Sequence, residues 1–172
     1  MWHFALASYQ KARITNFLNP WTDPRGGGYN TIQSMIAVGA GRFTGEGIGY
    51  GTQSHLNFLP EPETDFIFAA FAEEWGFTGS IFLLGVFLFL FWQLWICLKN
   101  APDNFSRLFI FGFSSLVFIQ FTVHLGANTG LLPITGLTLP FVSYGGSSLL
   151  SLFIGLGIIQ SITAHQSIKL EE

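Results

Sequence analysis

Charged side chains are scarce in this sequence. Of its 172 residues, 7 are Lys or Arg and 10 are Asp or Glu, so 10% are charged, against roughly 25% in an average soluble domain. So few charges cannot cover the surface of a water-soluble domain of this size. The net charge of −3 also lacks the basic stripe by which proteins bind nucleic acid. We therefore expect neither a soluble domain nor a nucleic acid partner.

Cysteine is scarce as well. The single Cys97 lies in an apolar run, which excludes a disulfide framework and a cysteine-based metal site. His3, His55 and His165 lack metal-ligand spacing, and we expect His124 to be packed or interfacial. What the sequence has in excess is apolar surface: 49% of its residues are hydrophobic, with 20 Phe and 5 Trp. This composition indicates an integral membrane protein.

Long uncharged runs predict three membrane-spanning helices. No charge occurs between Glu74 and Lys99, a run longer than the roughly 20 residues that cross a hydrocarbon core. After Arg107 the next charged residue is Lys169, and polar and glycine residues between 128 and 136 divide that run in two. The predicted spans are about 75–98, 108–125 and 139–162.

The composition and charge also predict the arrangement of the chain. Residues 11–64 are rich in Gly, Pro and polar residues, which is typical of a long structured loop lying against the membrane surface. Lys99, Arg107 and Lys169 flank the spans on one side, which places that side in the cytoplasm. We predict an all-α polytopic membrane protein. Residues 1–64 hold the end of a preceding helix and a long extracellular loop, and residues 65–172 hold three transmembrane helices and a cytoplasmic C-terminus.

A glycine-rich run extends from Gly39 to Gly51. It matches neither a dinucleotide-binding fingerprint nor a Walker A motif. Alternating glycines expose backbone amides that could hold an anion. Spacing alone favours a flexible surface loop.

Asp65 is the residue of greatest chemical interest. Pro60 and Pro62 exclude helix before Glu63, so Thr64 is the predicted N-cap and Asp65 falls in the first turn. The carboxylate then either complements the helix dipole or serves as a general base. Small residues on the same helical face, which would let a helix or a ligand approach closely, support the second alternative. They are Ala69, Ala72, Gly76 and Gly79.

Two further groups of polar residues lie near the predicted spans. Glu73 is roughly 12 Å along a helix from Asp65, farther than the carboxylates of paired-acid glycosidases, so a two-carboxylate hydrolase is not supported. We expect Glu73 and Glu74 to pair with polar neighbours, although an intramembrane carboxylate is a functional candidate by default. Ser143 and Ser147 lie at the mouth of the third span, where they either line a wet cavity or pack at a helix start.

At these residues the sequence resembles the SEDS family of peptidoglycan polymerases, which includes RodA and FtsW. Residues 53–60 are most similar to RodA, and the run from Gly136 to Leu139 is also found in FtsW-like members. The matching segments are Phe17–Pro20 with Asp23, Gly28–Ser34, Gly45–Ser54, Phe58–Pro60, Thr64–Ala69, Glu73–Gly76 and Gly136–Ser148.

The resemblance implies a fold of about ten helices in the bacterial cytoplasmic membrane, of which this sequence matches the C-terminal part. The long loop corresponds to the large extracellular loop before the eighth helix, and the three spans correspond to helices eight to ten. We therefore expect the native protein to be longer by about six or seven helices. In the family those early helices carry further cavity residues, so the resemblance leaves open whether the present chain is active alone.

The resemblance also implies a glycosyltransferase that polymerises lipid II for cell elongation, with Asp65 as the catalytic base. Its partners would be a class B penicillin-binding protein and the elongation or division complex. The cofactor stays open, with a divalent cation as one alternative. Other functions left open are a lipid II flippase, a scaffold for a transpeptidase, and an FtsW-like division polymerase. Candidate substrate-binding residues are Thr64, Gln53, Glu73, Ser143, Ser147 and Arg13, with Arg25 and Arg42 as further cations for the pyrophosphate.

Overall fold

The computed structural model describes residue 17 and residues 19–24, 26, 28–55 and 58–169. Within these residues the chain forms helices joined by turns and contains no strand, which confirms the predicted all-α class. In the same residues a 3-10 turn at Pro20–Thr22 precedes five α-helices. Their bounds are α1 Tyr29–Ala40, α2 Thr52–His55, α3 Ile67–Lys99, α4 Asn104–Asn128 and α5 Gly146–Lys169.

Helices α3, α4 and α5 are long and apolar enough to cross a membrane, which confirms the prediction of three spans. Large apolar side chains such as Phe82, Leu88 and Leu108 are exposed on their outer faces. Such exposure is unfavourable in water and favourable against lipid or further helices. Helix α3 begins earlier than predicted, and α4 extends beyond the predicted span at both ends.

The predicted start of the third span, at residue 139, is wrong, because α5 begins at Gly146. Residues 139–143 form a tight turn instead, in which the Leu139 carbonyl accepts from the amides of Val142 (3.2 Å) and Ser143 (3.0 Å). Phe141 has a φ of 64°, which a helix does not allow. The Ser143 hydroxyl closes the turn by accepting from the Leu139 amide at 2.8 Å.

The glycine-rich loop after α1 packs against a break in α3. Gly76 interrupts α3 with φ 64° and ψ −160°, and the backbone around it bonds to the loop. The prediction of a flexible surface loop is therefore wrong, because backbone pairing fixes the loop on both sides of Gly76. The bonds run from Phe77 N to Arg42 O (2.9 Å), Thr78 N to Phe43 O (3.1 Å), Glu46 N to Glu73 O (3.0 Å) and Gly47 N to Glu74 O (3.1 Å).

The small residues of α3 permit this close packing. All four members of the predicted small-residue face, residues 69, 72, 76 and 79, are buried. Ala69 packs in an apolar cluster with Ala37 of α1, and a Cβ on Gly41 would overlap the Ala72 carbonyl. The face thus admits the expected close approach, and in this chain it is α1 and the following loop that approach it.

Apolar contacts join the three spans. One buried cluster contains Leu94, Ala101, Ile110 and Ile159, which come from α3, the following turn, α4 and α5. In a second cluster the rings of Phe87 and Phe121 lie 4.3 Å apart between centroids, beside Leu139. The second cluster brings the turn at 139–143 against α3 and α4.

Asp103 determines where α4 begins. Its carboxylate accepts from the Ser106 amide (3.1 Å) and the Ser106 hydroxyl (2.7 Å), as an N-cap does. These two hydrogen bonds hold the pKa of the Asp103 carboxyl below its usual value.

Candidate active site

Asp65 lies in a turn immediately before α3. The Glu61 carbonyl accepts from the amides of Thr64 (3.2 Å) and Phe66 (3.4 Å), which closes the turn. Helix α3 begins at Ile67 with Phe66 in the N-cap position and has no acidic residue in its first turn. The prediction that Thr64 caps the helix and that Asp65 sits in its first turn is therefore wrong. The half-buried Asp65 is carried on an irregular backbone at the mouth of the spans.

Three distant residues hold the turn by its backbone carbonyls. The Glu63 carbonyl accepts from the Tyr144 amide at 2.9 Å, and the Thr64 carbonyl accepts from the Ser143 hydroxyl at 2.8 Å. The Asp65 carbonyl accepts from Asn128 Nδ2 at 3.0 Å. Three successive carbonyls bound in this way fix the backbone of Asp65 without engaging its side chain. We call these three donors the carbonyl clamp.

Asn128 makes the most contacts within the clamp. Its side chain is buried, with 1% of its surface exposed. Its Oδ1 accepts from the Ala69 amide at 3.1 Å, and Nδ2 also donates to the His124 carbonyl at 2.9 Å. Its own carbonyl accepts from the Ser34 hydroxyl of α1 at 2.6 Å. One residue therefore ties together the end of α4, the start of α3 and helix α1.

Gly136, in the segment after α4, lies close to the Asp65 carboxylate. A Cβ built on Gly136 would lie 3.6 Å from Asp65 Oδ2, and Gly136 has a φ of 72°, which favours glycine. The adjacent Leu137 carbonyl lies 2.8 Å from His124 Nδ1. The expectation that His124 is packed is confirmed, since 1% of its surface is exposed.

The clamp gives a first testable expectation. Replacing Asn128 with Asp keeps the shape of the side chain but removes both N–H donors and places a charge in a buried site. We expect this variant to lose about 3 kcal/mol of stability or more, as when buried polar groups lose their partners, with a lower midpoint of thermal unfolding in detergent. Asn104→Asp, at an exposed position of the same helix, is the matched control. Equal midpoints for the two variants would contradict the role of the clamp.

Glu73 and Glu74 form a second polar group, on the loop side of α3. Glu73 is fully buried, and its carboxylate accepts from the amides of Gln53 (2.7 Å) and Ser54 (3.0 Å). The amide of Gly49 donates to Glu74 Oε1 at 3.2 Å. The expectation that both glutamates pair with polar neighbours is confirmed. The anion held by an amide of the glycine-rich loop is the Glu74 carboxylate, a group of the protein itself.

The remaining predicted site residues are spread over the structure. Gln53 Oε1 is buried and has no partner among the described residues, and Ser147 is exposed at the start of α5. Arg42 is exposed in the loop that packs on α3, and Arg13 and Arg25 lie outside the described residues. The structure brings Thr64, Asp65 and Ser143 together and places Gln53 with Glu73 in the second group.

The described residues contain no group of three or more His, Cys, Asp or Glu side chains that could hold a metal ion. Sequence reasoning missed the contribution of Asn128, which it counted among the residues that break the apolar run. A buried amide at the end of a span was the available signal, because such a group requires partners.

A carboxylate on a clamped turn at the mouth of three spans defines a multi-pass membrane protein with a candidate catalytic acid or base. The family model for cell cycle proteins that covers FtsW, RodA and SpoVE matches residues 1–168. The chain belongs to this family, which confirms the resemblance found in the sequence.

Individual relatives agree with this assignment. The peptidoglycan glycosyltransferase MrdB of Escherichia coli K12 is 44% identical over 167 residues, covering 96% of this chain and 45% of MrdB. Stage V sporulation protein E of Bacillus subtilis strain 168 is 43% identical over 159 residues, covering 92% of this chain and 43% of the relative. The present chain thus spans less than half the length of these relatives.

A solved structure gives the same picture of the fold. It comes from work on the structural coordination of polymerization and crosslinking by a peptidoglycan synthase complex. The likeness has a TM-score of 0.74 and 34% sequence identity, and it covers 94% of this chain and 43% of the solved chain.

Proposed function

We propose that this protein acts as a peptidoglycan glycosyltransferase that polymerises lipid II into glycan strands, with Asp65 as the general base. The observation that carries the proposal is the half-buried Asp65 carboxylate on a turn whose three successive carbonyls are bound. A general base must be held in one place to take a proton from a positioned substrate. The names of relatives such as MrdB support the reaction class.

The proposed reaction needs one base on the acceptor side. The Asp65 carboxylate takes the proton of the acceptor 4-hydroxyl while that oxygen forms a bond to the anomeric carbon of the donor sugar. The bond from the anomeric carbon to the pyrophosphate breaks with inversion, and the pyrophosphate leaves with the electron pair. Because a pyrophosphate leaving group needs charge stabilisation and no proton, a single carboxylate base is sufficient. Thr64, Gln53, Glu73, Ser143, Ser147 and Arg13 stay candidates for binding the substrate.

The proposal includes the setting of the enzyme. We place the protein in the bacterial cytoplasmic membrane, with the long loop of residues 11–64 outside and the C-terminus in the cytoplasm. Lipid II is the proposed substrate, and a class B penicillin-binding protein of the elongation complex is the proposed partner. The solved neighbour described in work on a peptidoglycan synthase complex supports this partner.

Two other functions are less well supported. A lipid II flippase needs polar groups through the whole depth of the membrane, whereas the spans carry mainly Phe, Leu and Ile and the small-residue face of α3 is buried. A scaffold for a transpeptidase needs no carboxylate on a clamped turn. An FtsW-like role in division uses the same chemistry and differs in its partners.

The test is polymerisation of lipid II by the native-locus protein, purified with its penicillin-binding partner. Moenomycin is added to silence contaminating polymerases of the other type. We expect glycan strands that resist moenomycin and accumulate with time. A folded complex that makes no strands, with or without added divalent cation, would contradict the proposal.

A further inference from the structure

The buried imidazole of His124 has no part in the reaction proposed above for Asp65. A buried imidazole needs partners for its ring nitrogens, and here only one nitrogen has a partner. Nδ1 lies 2.8 Å from the Leu137 carbonyl, whereas Nε2 is buried without a partner among the described residues. Because a carbonyl can only accept, Nδ1 carries the proton and donates to Leu137. The tautomer of His124 is therefore determined by the Leu137 carbonyl.

The Leu137 carbonyl belongs to the segment that passes close to Asp65. Its neighbour Gly136 would place a Cβ 3.6 Å from Asp65 Oδ2. The hydrogen bond from His124 thus fixes the carbonyl of Leu137, the residue that follows Gly136. The turn at 131–132 is held separately, by bonds of 2.8 and 2.9 Å from both amides to the Gly126 carbonyl. His124 is the side chain of α4 that holds the segment at Leu137.

Two contacts place His124 close to Asp65. The amide nitrogen Nδ2 of Asn128 donates to the Asp65 carbonyl at 3.0 Å and to the His124 carbonyl at 2.9 Å, so both backbones meet at one atom. The two carboxylates on α3 itself, Glu73 and Glu74, accept from amides of residues 49–54 instead. Asp65 is the carboxylate residue whose backbone shares a hydrogen-bond donor with His124.

We propose that His124 is a positioning residue for Asp65, and that it acts through the Nδ1–H group. By donating to the Leu137 carbonyl, it keeps the neighbouring Gly136 close to the Asp65 carboxylate. Gly136 then borders the space through which the acceptor hydroxyl reaches that carboxylate. Nε2 has no hydrogen-bond partner in the described part of the chain and takes no part in this role. The inference rests on the proposed function, because it concerns the same carboxylate.

Three substitutions separate the two ring nitrogens. Asn places an N–H donor where Nδ1 is, Gln places its amide where Nε2 is, and Leu has neither. In the native-locus complex we expect His124→Asn to keep kcat for strand synthesis close to the wild-type value. Both His124→Gln and His124→Leu should lower kcat at least tenfold per folded protein, with little change in KM for lipid II. A role in folding alone would lower the amount of folded protein and leave kcat unchanged.

The outcomes distinguish this inference from the function itself. If His124→Asn is as inactive as His124→Leu, or if all three variants keep the wild-type kcat, the positioning role is wrong. The Asp65→Asn variant is measured in parallel. If it is inactive while His124→Leu is fully active, the positioning role fails and Asp65 stays the base. If it is fully active, the proposed base fails and the inference fails with it.

Discussion

Replacing Asp65 with Asn is expected to lower the rate of lipid II polymerisation by about 10²- to 10⁴-fold, the range that a general base contributes. The amide has nearly the shape of the carboxylate but cannot take the proton from the acceptor hydroxyl. The clamp holds the backbone carbonyls of residues 63–65, so the variant should keep the turn and fold normally. The measurement is the rate of strand formation per folded complex, with moenomycin present.

A neighbouring carboxylate provides the matched control. Glu63 lies two residues before Asp65 with an exposed side chain, and its contact with Tyr144 uses the backbone carbonyl. Glu63→Gln should therefore keep the wild-type rate, although it removes the same charge from the same turn. If the Asp65→Asn complex is folded and makes strands as fast as wild type, Asp65 has a structural role. The scaffold and flippase functions would then be favoured.

Replacing Gly76 with Ala is expected to destabilise the protein by about 3 kcal/mol or more. An alanine at φ 64° is strained, and its Cβ would overlap the Gly45 amide nitrogen and approach the Gly41 carbonyl. Neither atom can move away easily, because both belong to the backbone that pairs across the break in α3. Overpacking of this kind adds to the strain. The midpoint of thermal unfolding in detergent and protease protection of residues 41–49 measure the effect.

The same helix contains its own control for this prediction. Gly85 of α3 has no heavy atom within 4 Å of the position of an added Cβ. Gly85→Ala should leave the midpoint unchanged or raise it slightly, because alanine favours helix over glycine by up to about 1 kcal/mol. Gly45 lies on the loop side of the same contact between the loop and α3. Gly45→Ala should therefore lower the midpoint as Gly76→Ala does. A Gly76→Ala protein that unfolds with the wild-type midpoint would show that the close packing of the loop against α3 at Gly76 contributes little to stability.

The packing of the glycine-rich loop against α3 at Gly76 was predicted from the sequence only in part. The small residues on one face of α3 correctly predicted close packing, because the space near a helix depends on its own side chains. The partner could not be predicted, since glycines spaced as in 39–51 are equally compatible with a mobile loop. Bonds to residues 73–78 hold that loop against α3, and those residues belong to another element.

The start of α3 shows a different limit. Thr64 and the two prolines form a good local signal for a helix N-terminus, and the helix nevertheless begins at Ile67. Asn128 and Ser143 hold the preceding carbonyls from 63 and 79 residues away in the chain. Tertiary hydrogen bonds thus replaced the local cap, and no inspection of residues 60–66 could have revealed them.

The sequence by itself determined that the described part of the chain is all-α, that it lies in a membrane and that it contains three spans. It also singled out Asp65, through its chemistry and through motifs of the FtsW, RodA and SpoVE family. The membrane location and the spans follow from the apolar content of each segment, which is local and additive. Only the tertiary structure decided which groups hold Asp65, which amides bind Glu73 and where each helix begins. The reason is that a hydrogen bond requires its two groups to meet within about 3 Å, and the packing of distant segments controls that distance.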